Sequence, residues 1–197
     1  MSAELDVALR RIVLIVALLN LAYFGIEFSV ALAIGSVSLF ADSVDFLEDA
    51  SVNVLIFFAL AWSTRSRARI GMALAIILLV PGLATLWTAF DKFLDPVPPQ
   101  PVALSLTGLG ALAINMACAF MLATYRQHGG SLAKAAFLSA RNDALANIGI
   151  VAAGILTFYV WRSAWPDLIV GLAIAAINAD AAREVWTAAR NENRIRA

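Results

Sequence analysis

The sequence predicts an all-α, polytopic membrane protein of six transmembrane helices, and three observations predict it. Of 197 residues, 62% are hydrophobic and 14% charged, whereas a soluble domain is roughly 45–50% apolar. The apolar residues gather into six runs, each close to the roughly 20 residues that a bilayer crossing requires. Lys and Arg collect at alternate joints between those runs, as the positive-inside rule demands. Formal net charge is zero, so no global field attracts nucleic acid, and no nucleic-acid partner is expected. The expected surroundings are lipid.

Span one covers about 10–32. Its Arg10-Arg11 start, apolar run and Ala31-Leu32-Ala33 superficially suggest a signal peptide. The apolar stretch outruns the roughly 7–15 residues of a signal core, and Glu27 lies near its end, so an uncleaved helix is expected. Gly35-Ser36 separates it from span two, 39–63, and Thr64-Arg65-Ser66 leads into span three, 67–93. Pro81 interrupts that third span and should kink it. The Pro-rich stretch Asp95–Pro101 breaks the chain before span four, 101–125. Cys118 sits there in the apolar run Ala117–Met121; as the single cysteine it forms no internal disulfide and reads as a small packing residue. Gln127–Ser131 joins span four to span five, 132–160, and Arg162–Trp165 joins that to span six, 165–189. Pro166 suits the first turn of the last helix, and Asp167 suits its positive end.

Arg10, Arg11, Arg65, Arg67, Arg69, Arg126, Lys134, Arg190, Arg194 and Arg196 fall on one side of this topology, Lys92 and Arg162 on the other. That asymmetry places both termini in the cytoplasm, with the helices in an inner or plasma membrane. Trp62, Trp87, Trp161, Trp165 and Trp186 fall toward span ends, as interfacial aromatics do. Residues 1–190 are expected to form one six-helix transport domain, with 191–197 a short cytoplasmic tail.

The chemistry is concentrated in span two. Asp42, Asp45, Asp49 and Asn53 fall at i, i+3, i+7 and i+11, on one helical face, with Glu48 pointing away. One acid at mid-membrane costs roughly 2.5–3.5 kcal/mol, so a stripe of them needs a cation or a watered cavity as partner. Span five echoes span two: Asp49-Ala50-Ser51-Val52-Asn53-Val54-Leu55-Ile56 matches Asp143-Ala144-Leu145-Ala146-Asn147-Ile148-Gly149-Ile150 at Asp, Ala, Asn and Ile. Four residues before each Asp stands a polar residue, Asp45 or Ser139. The two spans run in opposite directions, an arrangement that transporters with inverted repeats use to hold substrate near mid-membrane. Joining the two faces gathers Asp45, Asp49, Asp143 and Ser139. Empty and ionised, such a group repels itself; it binds a divalent cation or holds protons. Exchanging those two states across the membrane makes a metal/proton antiporter. Carboxylates are hard donors, and the candidate transported ions are Mn²⁺, Fe²⁺, Co²⁺, Zn²⁺ and Cd²⁺. No prosthetic group is implied. Nor is an enzyme, for no nucleophile–base constellation is evident.

Other polar residues have simpler assignments. Asp42 either joins the inward stripe of acids or, being in the first turn of its helix, caps it or faces outside water. Glu48 pairs with a base or reaches water. Arg141 points away from the Ser139/Asp143 face and pairs with such an acid. Asn142, Asn20, Asn115, Asn147 and Asn178 read as inter-helix hydrogen-bond residues. Glu27, on the Asn20 face of span one, either lines the cavity or pairs structurally. His128, beside Gly129-Gly130, reads as a solvated loop histidine. Asp180, Arg183 and Glu184 read as interfacial ion pairs.

These residues resemble the cation diffusion facilitator family of metal/proton antiporters. Gly35-Ser36-Val37-Ser38-Leu39-Phe40-Ala41-Asp42-Ser43-Val44-Asp45, followed by Asp49, is similar to that family's G-S-x-x-L-x-A-D-[SA]-x-[HD]-x-x-x-D. Lys134–Asp143 resembles its segment leading into H-x-x-x-D, and Trp165-Pro166-Asp167 its W-x-D. The resemblance implies a six-helix membrane domain, a homodimer, and a tetrahedral metal site at Asp45, Asp49, Ser139 and Asp143. Two departures stand out. Ser139 occupies the place where zinc carriers of the family have His, leaving Asn142 or water to complete the shell. The chain also stops at Ala197, without the family's cytoplasmic C-terminal domain, so a dimer is expected to rest on helix contacts. Two other functions suit the same residues: a non-transporting membrane regulator or scaffold of this fold, and a proton-coupled carrier of organic cations that uses the acids as a charge trap.

Overall fold

A computed structural model of the chain describes residues 3–59, 83–124 and 130–177. It is all-α, with no strand among the described residues. The helices are α1 (Ala3–Ile34), α2 (Val37–Ala59), α3 (83–94), α4 (Pro101–Ala123), α5 (Gly130–Tyr159) and α6 (Trp165–Ile177). Val7–Ile34, Pro101–Ala123 and Ser139–Tyr159 are each long and apolar enough to cross a bilayer. At 1.5 Å rise per residue, the 23 residues of α2 also reach about 35 Å. Large apolar side chains such as Leu18, Ile26, Leu106, Phe120, Leu145 and Ile155 project outward from the helices. In water that surface would be a liability; in lipid it is the normal exterior. The protein is an integral membrane protein.

Four helices form the body. α1 packs on α2, α2 on α5, α5 on α4 and α4 back on α1, a closed ring of neighbours. Small residues let α4 and α5 approach closely. A Cβ on Gly154 would land on Ser105 Oγ, and one on Gly108 would press into Ile150. In lipid, where burying apolar area between helices gains little, such close backbone contact and inter-helix hydrogen bonds carry the association.

The interior is layered. One apolar cluster joins Leu9, Val13, Val16, Ile56, Cys118, Ala119, Leu122 and Ala140. A second joins Ala31, Leu39, Phe40, Ala41, Leu104, Ile150 and Ile174, near the α1–α2 turn. Along the helices, the buried polar residues Asn20, Glu27, Asp42, Asp45, Asp49 and Asn147 lie between these two clusters.

Gly35 makes the α1–α2 turn with φ +62°, a left-handed conformation that glycine adopts without the Cβ clash. Ser36 N–H then donates to Ala31 O across 3.0 Å and closes α1. Asp167 was expected to sit at the positive end of its own helix, and it does more than that. Its carboxylate lies on the N-terminus of α2, accepting from Val37 N–H (2.8 Å), Ser38 N–H (3.2 Å), Ser36 Oγ (2.6 Å) and Ser38 Oγ. The free N–H groups of a helix start attract an anion, and here α6 supplies one to α2. Lys92 of α3, assigned to the sparsely charged side, is buried with Nζ donating to Gly35 O at 2.6 Å. The Pro-rich stretch ends on Pro101 at the first position of α4, where its missing N–H is harmless.

Several expectations lie outside the described residues: the Pro81 kink, the Thr64–Ser66 joint, Trp62, Trp186, His128, Asn178, the Asp180/Arg183/Glu184 pairs, and the basic residues at 65, 67, 69, 126, 190, 194 and 196. The side chain of Lys134 is outside them too.

Candidate functional site

Helix periodicity turns the acids of α2 inward, as the spacing predicts. Asp42, Asp45, Asp49 and Asn53 are all buried, whereas Glu48 is only partly so. α5 supplies the facing residues. Ser139 Oγ donates to Asp49 Oδ1 at 2.8 Å, a direct link between α2 and α5. One turn further along α5, the Asp143 carboxyl comes within hydrogen-bonding range of Asp49. Asp45 lies one turn from Asp49 on the same inward face of α2. α2 and α5 thus bring Ser139, Asp49 and Asp143 together, with Asp45 one turn away along α2. Among the described residues, however, no three Asp, Glu, His or Cys side chains are gathered closely enough to hold a metal ion. Mutual repulsion of bare carboxylates opposes such gathering, and a cation removes that repulsion.

Above this level, toward the α1–α2 turn, runs a polar chain. Asn115 of α4 donates to Asn147 Oδ1 at 3.1 Å. Asn147 Nδ2 in turn donates to Asp42 Oδ2. Both asparagines are the inter-helix links that their types suggest. Asp42 is neither a cap nor water-facing: it is fully buried, because its helix turns it toward α5 rather than toward the helix end. Glu27 of α1, also fully buried, lies with its carboxyl against that of Asp42. Asn20 is buried lower on α1, where its side-chain oxygen receives the weak Cys118 thiol donor at 3.7 Å.

Two other assignments change. Asn142, a candidate ligand or helix–helix link, is exposed and accepts from its neighbour Arg141 at 3.2 Å. Arg141 was expected to pair with an acid such as Glu48, but it faces outward with Asn142. At 100° per residue Asn142 lies nearly a third of a turn from Asp143, enough to leave the inward face. The other described bases are distant. Lys92 is engaged at Gly35, and Arg10 reaches Phe57 O at 3.4 Å and stacks over the Phe57 ring.

The residues that inspection of single helices left open are Glu27 and Asp42. Their signals were present, Glu27 seven residues after Asn20 and Asp42 on the α2 stripe, but their pairing depends on how α1 and α2 are rotated against each other.

Ionisable residues within membrane-spanning helices are rare and commonly mark ion or proton pathways. Residues 13–190 match the cation efflux transmembrane domain. The chain belongs to the cation efflux, or cation diffusion facilitator, family, a family of cation transporters. No curated protein sequence matches it.

Proposed function

We propose that the protein exports a divalent metal ion in exchange for protons, through a site between α2 and α5. Asp45, Asp49 and Asp143 serve as ligands when ionised and as proton acceptors when the metal leaves. Ser139 or water completes coordination. The observation that carries this reading is the Ser139–Asp49 hydrogen bond with Asp143 alongside: the acids of one helix meet the polar face of the other inside the bundle. Alternating access follows from rocking of the α2/α5 pair, with both termini cytoplasmic and two copies joined through helix contacts. An all-oxygen set with one hydroxyl suits Mn²⁺, Fe²⁺ or Co²⁺ at least as well as Zn²⁺.

The test is purified protein in liposomes with a pH gradient and a panel of Zn²⁺, Mn²⁺, Fe²⁺, Co²⁺ and Cd²⁺. Saturable uptake of one or more of them, coupled to proton movement and abolished in Asp49→Ala, is the expected result. Metal binding without flux identifies a regulator of this fold instead. Uptake of an organic cation with no metal uptake identifies the charge-trap carrier.

A further inference from the structure

We propose that Glu27 and Asp42 form a second cation station, separate from the Asp45/Asp49/Asp143/Ser139 set and nearer the α1–α2 turn. It takes a hard divalent metal ion through carboxylate oxygens, the remaining coordination being water. The proposal rests on the reading that the cargo is a divalent metal.

Both side chains are fully buried and their carboxyls face each other across the α1–α2 contact. Glu27 Oε1, Glu27 Oε2 and Asp42 Oδ1 meet no donor. Buried polar atoms in folded proteins nearly always have partners, so two apposed carboxyls with three donor-less oxygens call for a positive charge between them, either a metal ion or a shared proton. Asp42 is also held for the task. Asn147 occupies its other oxygen, and Asn115 fixes Asn147, which leaves Oδ1 aimed at Glu27. The Asn147 oxygen is already accepting from Asn115.

Charge and donor type then define the ligand. Two carboxylates against one divalent ion give a neutral unit, the cheapest form in which to bury either. Oxygen-only coordination by two carboxylates and water is the habit of Mg²⁺- and Mn²⁺-like ions, not of thiophilic ones. Asp42 and Asp49 share one stripe of α2, seven residues and so about 10 Å apart along the axis. An ion leaving Asp49 toward the α1–α2 turn thus meets Asp42 on the same face. In the orientation proposed above, that is the exit side.

The experiment is equilibrium dialysis of the full chain in detergent against Mn²⁺, counting bound ions. Wild type is expected to bind about two per chain, Glu27→Gln about one, and Asp49→Asn about one, as separate carboxylate stations would. Glu27→Asp, which keeps the charge, should restore the ion that Glu27→Gln loses. Monodisperse elution of each variant confirms that it folds. One ion in wild type, unchanged in Glu27→Gln, overturns the second station and leaves a shared proton between the two carboxyls. Two ions in Asp49→Asn with one in Glu27→Gln would sink the α2/α5 transport site while keeping this one. No bound ion in wild type overturns both.

Discussion

Ser139 carries the chemical individuality of this site. Its hydroxyl donates to Asp49, so it orients that proposed ligand whether or not its own oxygen joins the shell. Ser139→His would place a borderline-soft nitrogen beside three carboxylates, and Zn²⁺ binding is expected to strengthen by about tenfold or more over Mn²⁺, read by competition titration. No preference shift would mean that residue 139 does not reach the ion. The α2 stripe and the α5 echo made Asp49, Asp143 and Ser139 legible in the sequence, because period and spacing alone place them on two inward faces. Asn142 was not legible. Whether a residue a third of a turn from the centre points in or out depends on helix rotation, which neighbouring helices set.

At the level of elements, the α4–α5 contact depends on side chains that are not there. A leucine at Gly154 would collide with Ser105 and with the backbone of Pro101, forcing the helices apart. Overpacking of this kind costs about 1–3 kcal/mol. Gly154→Leu is therefore expected to lower the thermal unfolding midpoint in detergent, whereas Gly149→Ala, whose Cβ would sit at an ordinary 3.6 Å from Val170, should leave it nearly unchanged. Equal effects at both would deny α4 and α5 their close approach. The helices themselves were legible, since runs of about 20 apolar residues admit little else in a bilayer. Asp167 shows what was not. Its own helix start is three residues away at most, and local reasoning assigned it there; the N–H groups it serves belong to another helix and could be found only in three dimensions.

For the whole molecule, the proposed exchange of metal for protons at the same acids makes transport a competition between the two. Protons that must leave before the metal enters weaken binding as pH falls, by about tenfold per pH unit for each proton displaced. Apparent affinity for the transported ion is thus expected to drop on acidification of the loading side, and an acidic far side to accelerate release, both read as initial rates in vesicles of opposite pH gradient. Rates indifferent to the gradient would break the coupling.

The carboxylate that completes the start of α2 comes from a residue 131 positions later in the chain. A ribosome threading this polypeptide into a membrane therefore inserts α2 long before the group that finishes its first turn exists. Until the last segment arrives, Val37 and Ser38 present bare amides at the membrane boundary. Assembly has a built-in final step, and a chain cut short before Asp167 would carry its acidic face on a frayed helix.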